Sequence, residues 1–204
     1  MPNKLLQSAI HKALSWPLLF DLQQKVFNNY KAVRKQFVTY MDAPGLAVLD
    51  VGCSTGASAA ALVDLQKHEY TGIELMPEYA AIAQRRGLRG RFLAMDATQM
   101  SFADASFDRV LFTGVLHHME DGIAKASLAE SFRVLKPGGW LLAAEPMFTP
   151  GERLTNFLLA HDRGSHIRTA EEYKALFGGR PIAQEGAFRF SFHRFISLAL
   201  RKEA

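Results

Sequence analysis

Residues 48–58 read VLDVGCSTGAS, and the reading of the fold starts there. An apolar run ends on the acid Asp50 and gives way to small residues and an alanine-rich stretch. A buried strand that leaves through a tight turn into a helix has this pattern, because glycine reaches backbone conformations that side chains resist. Gly52 and Gly56 frame the turn, with Cys53 and Ser54 between them. A dinucleotide-binding turn spaces its glycines as G-x-G-x-x-G, the second one letting the backbone approach a pyrophosphate. Here Ser54 stands where that second glycine would be, and the last glycine comes one residue early. No Gly-Lys-Ser/Thr follows, which excludes a triphosphate loop. A ligand without phosphates is the alternative.

Strands alternate with helices on either side of this turn. Continuous apolar runs mark strands at 46–51, 69–75, 91–95, 108–113 and 139–145, and helical periodicity marks 56–67, 77–86 and 122–135. That alternation predicts a parallel sheet covered on both faces. Residues 4–14 and 18–41 read as helices, the second with Leu22, Val26, Tyr30, Val33 and Phe37 at three- and four-residue steps. Near the other end, Thr169 and Glu172 have the spacing of a capping box. Two strands then follow at about 182–192 and 194–201 with no helix between them, the signature of an antiparallel edge.

With 204 residues, 49% hydrophobic and 22% charged, the chain reads as one domain with a sizeable core. Its single cysteine, Cys53, rules out an intrachain disulfide, and no apolar stretch is long enough for a signal core or a span. The expectation is a cytoplasmic protein. Lys and Arg outnumber Asp and Glu by six to two over 1–47 and by nine to six over 151–204, while the middle carries nine against twelve. Basic flanks read either as solvated helices or as surfaces favouring an acidic acceptor or an anionic membrane. Trp16, Leu18, Leu19 and Phe20 beside Lys4, Lys12 and Lys25 are compatible with peripheral membrane contact, and packing onto the domain is the simpler reading.

Four segments in order resemble class I S-adenosylmethionine-dependent methyltransferases, in the broad type 11 group with quinone- and lipid-methylating members. They are VLDVGCSTG, GIELMPEYAAIAQRRG, MDATQMSFADASFDRVLFTGVLHHMED and FRVLKPGGWLLAAEP, spread over residues 46–145. The resemblance implies a Rossmann-like α/β fold whose seven-stranded, mostly parallel sheet has the order 3-2-1-4-5-7-6. It also implies a division into an N-terminal helical cap (1–45), a cofactor-binding core (46–145) and a substrate-covering segment with a terminal strand pair (146–204). The cofactor would be S-adenosyl-L-methionine, leaving as S-adenosyl-L-homocysteine. Gly52 and Gly56, with Cys53 and Ser54, would approach its amino acid end, and Asp50 would compensate the ammonium. Glu74, 22 residues beyond Gly52, would accept from both ribose hydroxyls. Asp96 and the Ala97 amide would meet the adenine edge, Leu75 and Met76 would sandwich the base, and Thr113 and Gly114 would contact the methionine end.

For the acceptor the resemblance implies a small-molecule or lipid-like compound, with no metal. No cysteine is placed for cytosine methylation and no Asn/Asp-Pro-Pro-aromatic motif follows the fourth strand, so nucleic acid is disfavoured. His117 is the candidate base or positioning group, and His118 beside it reads as packing. His166 and Arg168, in HDRGSHIRTAEEY with His161 and Arg163, are candidates for an anionic acceptor, Arg168 by bidentate pairing. Two other classes stay open: a cofactor-binding scaffold without transfer, and a nicotinamide oxidoreductase, against which stand the glycine spacing and the lack of Tyr-x-x-x-Lys. Ser54 fits the turn freely if its φ is negative, and carries the burden of its Cβ if not.

Overall fold

A computed structural model describes residues 30–160, 164–190 and 193–203. The expected helix at 4–14, the part before Tyr30 of the helix expected at 18–41, the apolar cluster around Trp16, and His161 and Arg163 lie outside the described residues. The elements in chain order are α1 (Tyr30–Phe37), β1 (Ala47–Val51), α2 (Ala59–Leu62), β2 (Glu69–Glu74), α3 (Pro77–Arg85), β3 (Arg91–Ala94), β4 (Phe107–Thr113), α4 (Asp121–Val134), β5 (Leu135–Phe148), α5 (Arg153–Ala160), β6 (Arg168–Thr169), α6 (Ala170–Ala175), β7 (Gln184–Phe190) and β8 (His193–Arg201). The sheet runs β3-β2-β1-β4-β5-β8-β7, with the two-residue β6 paired to the end of β5. Strands β1 to β5 are parallel, and β8 is antiparallel to both β5 and β7. Setting aside the short β6, this is the expected order.

Period-two side chains on strands covered from both sides explain the apolar runs. In β1, Val48 joins one core while Leu49 and Val51 join the other. In β4, Val110 and Phe112 face the Leu49 side and Leu111 faces the Val48 side. In β5, Leu141 and Ala143 divide from Leu142 and Ala144 in the same way. Either core would be depleted if a central strand slipped by one residue.

Besides α5 and β6, which the sequence did not announce, two expected elements take different bounds. The helix expected at 56–67 is only Ala59–Leu62, because Val63 turns extended (φ −122, ψ 136) and both Val63 and Leu65 are buried. The fifth strand starts at Leu135, which pairs with Phe107, and its register shifts at Lys136–Gly139 before Trp140 pairs with Arg109. At α6 the capping box is present as read: Thr169 accepts from the Glu172 amide, and the Glu172 carboxylate accepts from the Thr169 amide.

Candidate functional site

The carboxyl ends of the parallel strands are where ligands bind in open α/β sheets. Along that edge lie the turn after β1, Glu74–Met76 after β2, Asp96–Ala97 after β3 and Thr113–His118 after β4. The first turn is tight: Gly52 and Gly56 both have φ +73, and the Gly52 and Cys53 amides donate to the Ile73 carbonyl at 2.9 and 3.0 Å. A Cβ on Gly52 would overlap the Val115 side chain, so this glycine lets the β1 and β4 turns meet. Ser54 has φ +51, the costly branch of the expectation. Its amide donates to Glu74 Oε2 at 3.0 Å, while Glu74 Oε1 accepts from the Met76 amide at 3.1 Å. Glu74 thus ties the first turn to the second. Cys53 is buried, its sulfur occupying the space left by the missing side chain of Gly72, and burial pushes its thiol up.

Asp50 is buried (3% exposed) at the end of β1 and accepts the Tyr70 hydroxyl at 2.6 Å. Burial pushes its carboxyl up to about 6, the Tyr70 bond opposes this, and Glu74 nearby adds to it. Two acids in one poorly hydrated place favour a cationic group beside them. Leu75 and Met76 are 67% and 51% exposed, unusual for large apolar side chains flanking an acid. Asp96 Oδ1 takes both the amide and the hydroxyl of Thr98 at 2.8 Å, which holds its carboxyl below the usual range. At the end of β4, Thr113 Oγ1 is buried with no partner among the described residues. An orphaned hydroxyl costs about 1–3 kcal/mol unless a ligand meets it. Cationic, apolar and polar complementarity along this edge fits S-adenosylmethionine, with its ammonium and sulfonium, its adenine and its hydroxyls.

The turn after β4 is organised by a residue the sequence reading passed over, Glu145 of β5. It is buried, and Oε1 accepts the amides of Val115 at 3.0 Å and Leu116 at 2.9 Å. Oε2 takes the His117 amide at 3.4 Å and His117 Nδ1 at 2.8 Å. A carboxylate only accepts, so the neutral imidazole carries its hydrogen on Nδ1 and keeps a lone pair on Nε2. Among the described residues nothing bonds Nε2. The ring lies near Gly114 and Gly164, while the exposed His118 ring packs on it with centroids 4.0 Å apart and planes tilted by 40°. The signal for Glu145 in the sequence was an acid closing the apolar run LLAAEP.

His166 reaches this turn through its backbone, its amide donating to the His117 carbonyl at 2.9 Å. Arg168 corrects the anion-clamp expectation. All five guanidinium donors are taken within the chain, by Leu116, His166 and Met119 carbonyls and by Asp121 Oδ1. None is left for a bidentate substrate anion. Among the described residues no three His, Cys, Asp or Glu side chains are gathered to hold a metal, and no helix is long and apolar enough to cross a membrane.

Residues 48–139, a little under half of the chain, match the family model of the methyltransferase domain. It is 37% identical over 119 residues to a demethylmenaquinone methyltransferase of Beutenbergia cavernae, covering 57% of this chain and 48% of that one. It is 37% identical over 105 residues to a 2-methyl-6-phytyl-1,4-hydroquinone methyltransferase of Synechocystis, covering 50% and 32%. The match thus spans less than half the length of these relatives. Among solved structures, magnesium protoporphyrin IX methyltransferase of Synechocystis with bound S-adenosylhomocysteine superposes with a TM-score of 0.67 at 20% identity, covering 92% of this chain and 86% of that one. At that identity the likeness concerns the fold.

Proposed function

We propose that this protein transfers a methyl group from S-adenosylmethionine to a hydroxyl-bearing aromatic acceptor, a phenol or hydroquinone, with His117 as the general base. The Glu145–His117 pair carries the reading. It stands in the turn that ends β4, where the edge of cofactor-type residues ends in the orphaned Thr113 hydroxyl. Asp50 would face the ammonium, Glu74 the ribose hydroxyls, Leu75 and Met76 the adenine faces, and Asp96 with the Ala97 amide its edge. When bound, S-adenosylmethionine supplies a methyl group on a sulfonium, already activated for displacement. A base is therefore needed only for an acceptor that arrives protonated. His117 Nε2 would take the phenol proton, and Glu145, hydrogen-bonded to Nδ1, would stabilise the imidazolium that results. Removing that proton serves methylation on oxygen, and equally on a ring carbon activated by the phenolate.

Two relatives named for quinone and hydroquinone acceptors support the acceptor class. The exposed Leu154, Phe157 and Leu158 on α5 support one with an apolar tail. The lone, buried Cys53 supports a reducing compartment such as the cytoplasm. The test supplies labelled S-adenosylmethionine with a prenylated naphthohydroquinone, a catechol, a simple phenol and a primary amine. Label should enter the hydroxylated rings and not the amine, and His117→Ala should lower kcat on them by ~10²–10⁴-fold. Equal labelling of the amine overturns the acceptor class, and full turnover by His117→Ala overturns the base assignment.

A further inference from the structure

We infer that Arg168 is a positioning residue for His117, clamping the turn that carries the imidazole from a segment about fifty residues further along the chain. The inference rests on His117 acting as the base. The Arg168 side chain is only 8% exposed, and its one carboxylate partner, Asp121, is 63% exposed. Nη1 donates to the Leu116 carbonyl at 3.0 Å and the His166 carbonyl at 2.8 Å. Nη2 donates to the Met119 carbonyl at 2.7 Å and Asp121 Oδ1 at 2.8 Å, and Nε to the same oxygen at 3.1 Å. These partners bracket His117 on both sides in sequence. The planar fork therefore holds the short 3₁₀ turn Leu116–His118 and the first residue of α4 in one arrangement.

The same segment grips His117 twice more. The His166 amide donates to the His117 carbonyl, and Gly164 lies so close to the ring that a Cβ there would overlap Cδ2. Beneath, β6 anchors Arg168 beside β5, the strand that supplies Glu145, and the Tyr173 hydroxyl donates to the Pro146 carbonyl at 3.0 Å. Glu145 fixes Nδ1 from the sheet, and the Gly164–Arg168 strap fixes the ring and its backbone from above. A buried cation satisfied mostly by carbonyls is a costly way to gain stability alone, since apolar packing serves that end as well. A rigid fork that ties three carbonyls to one carboxylate instead defines a geometry.

The experiment compares Arg168→Lys, Asp121→Asn and Gly164→Ala with His117→Gln as the reference. Lysine keeps the charge but cannot span the four partners. Asp121→Asn removes only the exposed anchor, and Gly164→Ala pushes the ring without touching the guanidinium. Two readouts are taken: steady-state kinetics, and the imidazole ¹⁵N signals of His117 in ligand-free protein. Displacing a catalytic group by ~1 Å costs up to about 10²-fold. Arg168→Lys and Gly164→Ala should therefore each lower kcat by ~10–10²-fold with S-adenosylhomocysteine affinity within about threefold, and Asp121→Asn should follow with a smaller drop. In each, the His117 signals should show loss of the fixed Nδ1–H tautomer.

Variants that fold with reduced melting temperature but unchanged His117 signals and kcat would make Arg168 a structural strut and overturn the inference. If Arg168→Lys does not fold, Asp121→Asn and Gly164→Ala decide by the same criteria. Should His117→Gln turn over normally while the strap variants still disturb the His117 signals, the base role fails and the clamp itself stands.

Discussion

Replacing Asp50 with asparagine tests whether the β1 acid is held in readiness for a cation at the expense of stability. Its carboxyl is pushed from 3.8 up to about 6 by burial, so the native state binds a proton that the unfolded chain releases near pH 4. Stability then falls as pH rises through this window, because the folded protein holds more protons than the unfolded one. A gap of roughly two units at ~1.4 kcal/mol each makes the ionised carboxylate cost about 3 kcal/mol above pH 6, and nothing below pH 4. Asparagine still accepts the Tyr70 hydroxyl but never ionises, so its baseline offset is independent of pH. Urea unfolding of both proteins from pH 4 to 8 reads the difference directly. The variant should gain about 3 kcal/mol on wild type across this range, nearly all of it between pH 4 and 6.5. It should also lose S-adenosylhomocysteine affinity, having no charge for the ammonium. Near pH 6, where wild-type Asp50 is about half protonated, binding should release up to about half a proton, visible by calorimetry in buffers of different ionisation heat. A stability difference that stays constant with pH would mean Asp50 titrates as an ordinary acid, and the reasoning would be wrong.

Ser54→Gly removes a Cβ from a left-handed backbone position, and should stabilise by up to ~1 kcal/mol, part of the ~1–2 kcal/mol strain being offset by the freer unfolded chain. Because the Ser54 amide that meets Glu74 is unchanged, S-adenosylhomocysteine affinity should stay within about twofold by titration; a tenfold change would show that the hydroxyl itself meets the ligand. Thr113→Val replaces the orphaned hydroxyl with a methyl group of the same shape. It should stabilise the ligand-free protein by about 1 kcal/mol in thermal unfolding while weakening S-adenosylhomocysteine, and a variant no more stable than wild type would show the hydroxyl already satisfied.

The parallel core was legible because each central strand is an apolar run whose alternating residues serve two cores at once, as Val48 and Leu49 do, while the strand order was an expectation from the family resemblance alone. The edge proposed for the cofactor was legible for a related reason. Strand ends are sequence-local events, so an acid or glycine closing a run, as at Asp50, Gly52 and Glu74, is already placed along the carboxyl edge of the sheet. Helix length after the glycine turn was not legible, since nothing in the alanine-rich stretch signals that the chain turns extended at Val63.

What lay beyond the sequence are the contacts between residues far apart in the chain. Glu145 meets His117 across 28 positions and Arg168 meets Leu116 across 52, and no periodicity encodes either distance. Arginine in a charged segment reads as a surface cation until the fold buries it among carbonyls. The sequence by itself therefore determined the central strands and the glycine turn, both set by local pattern and backbone chemistry. Tertiary structure alone decided the φ of Ser54, the tautomer of His117 and the partners of Arg168, because each depends on which distant group the closed sheet brings within hydrogen-bond reach.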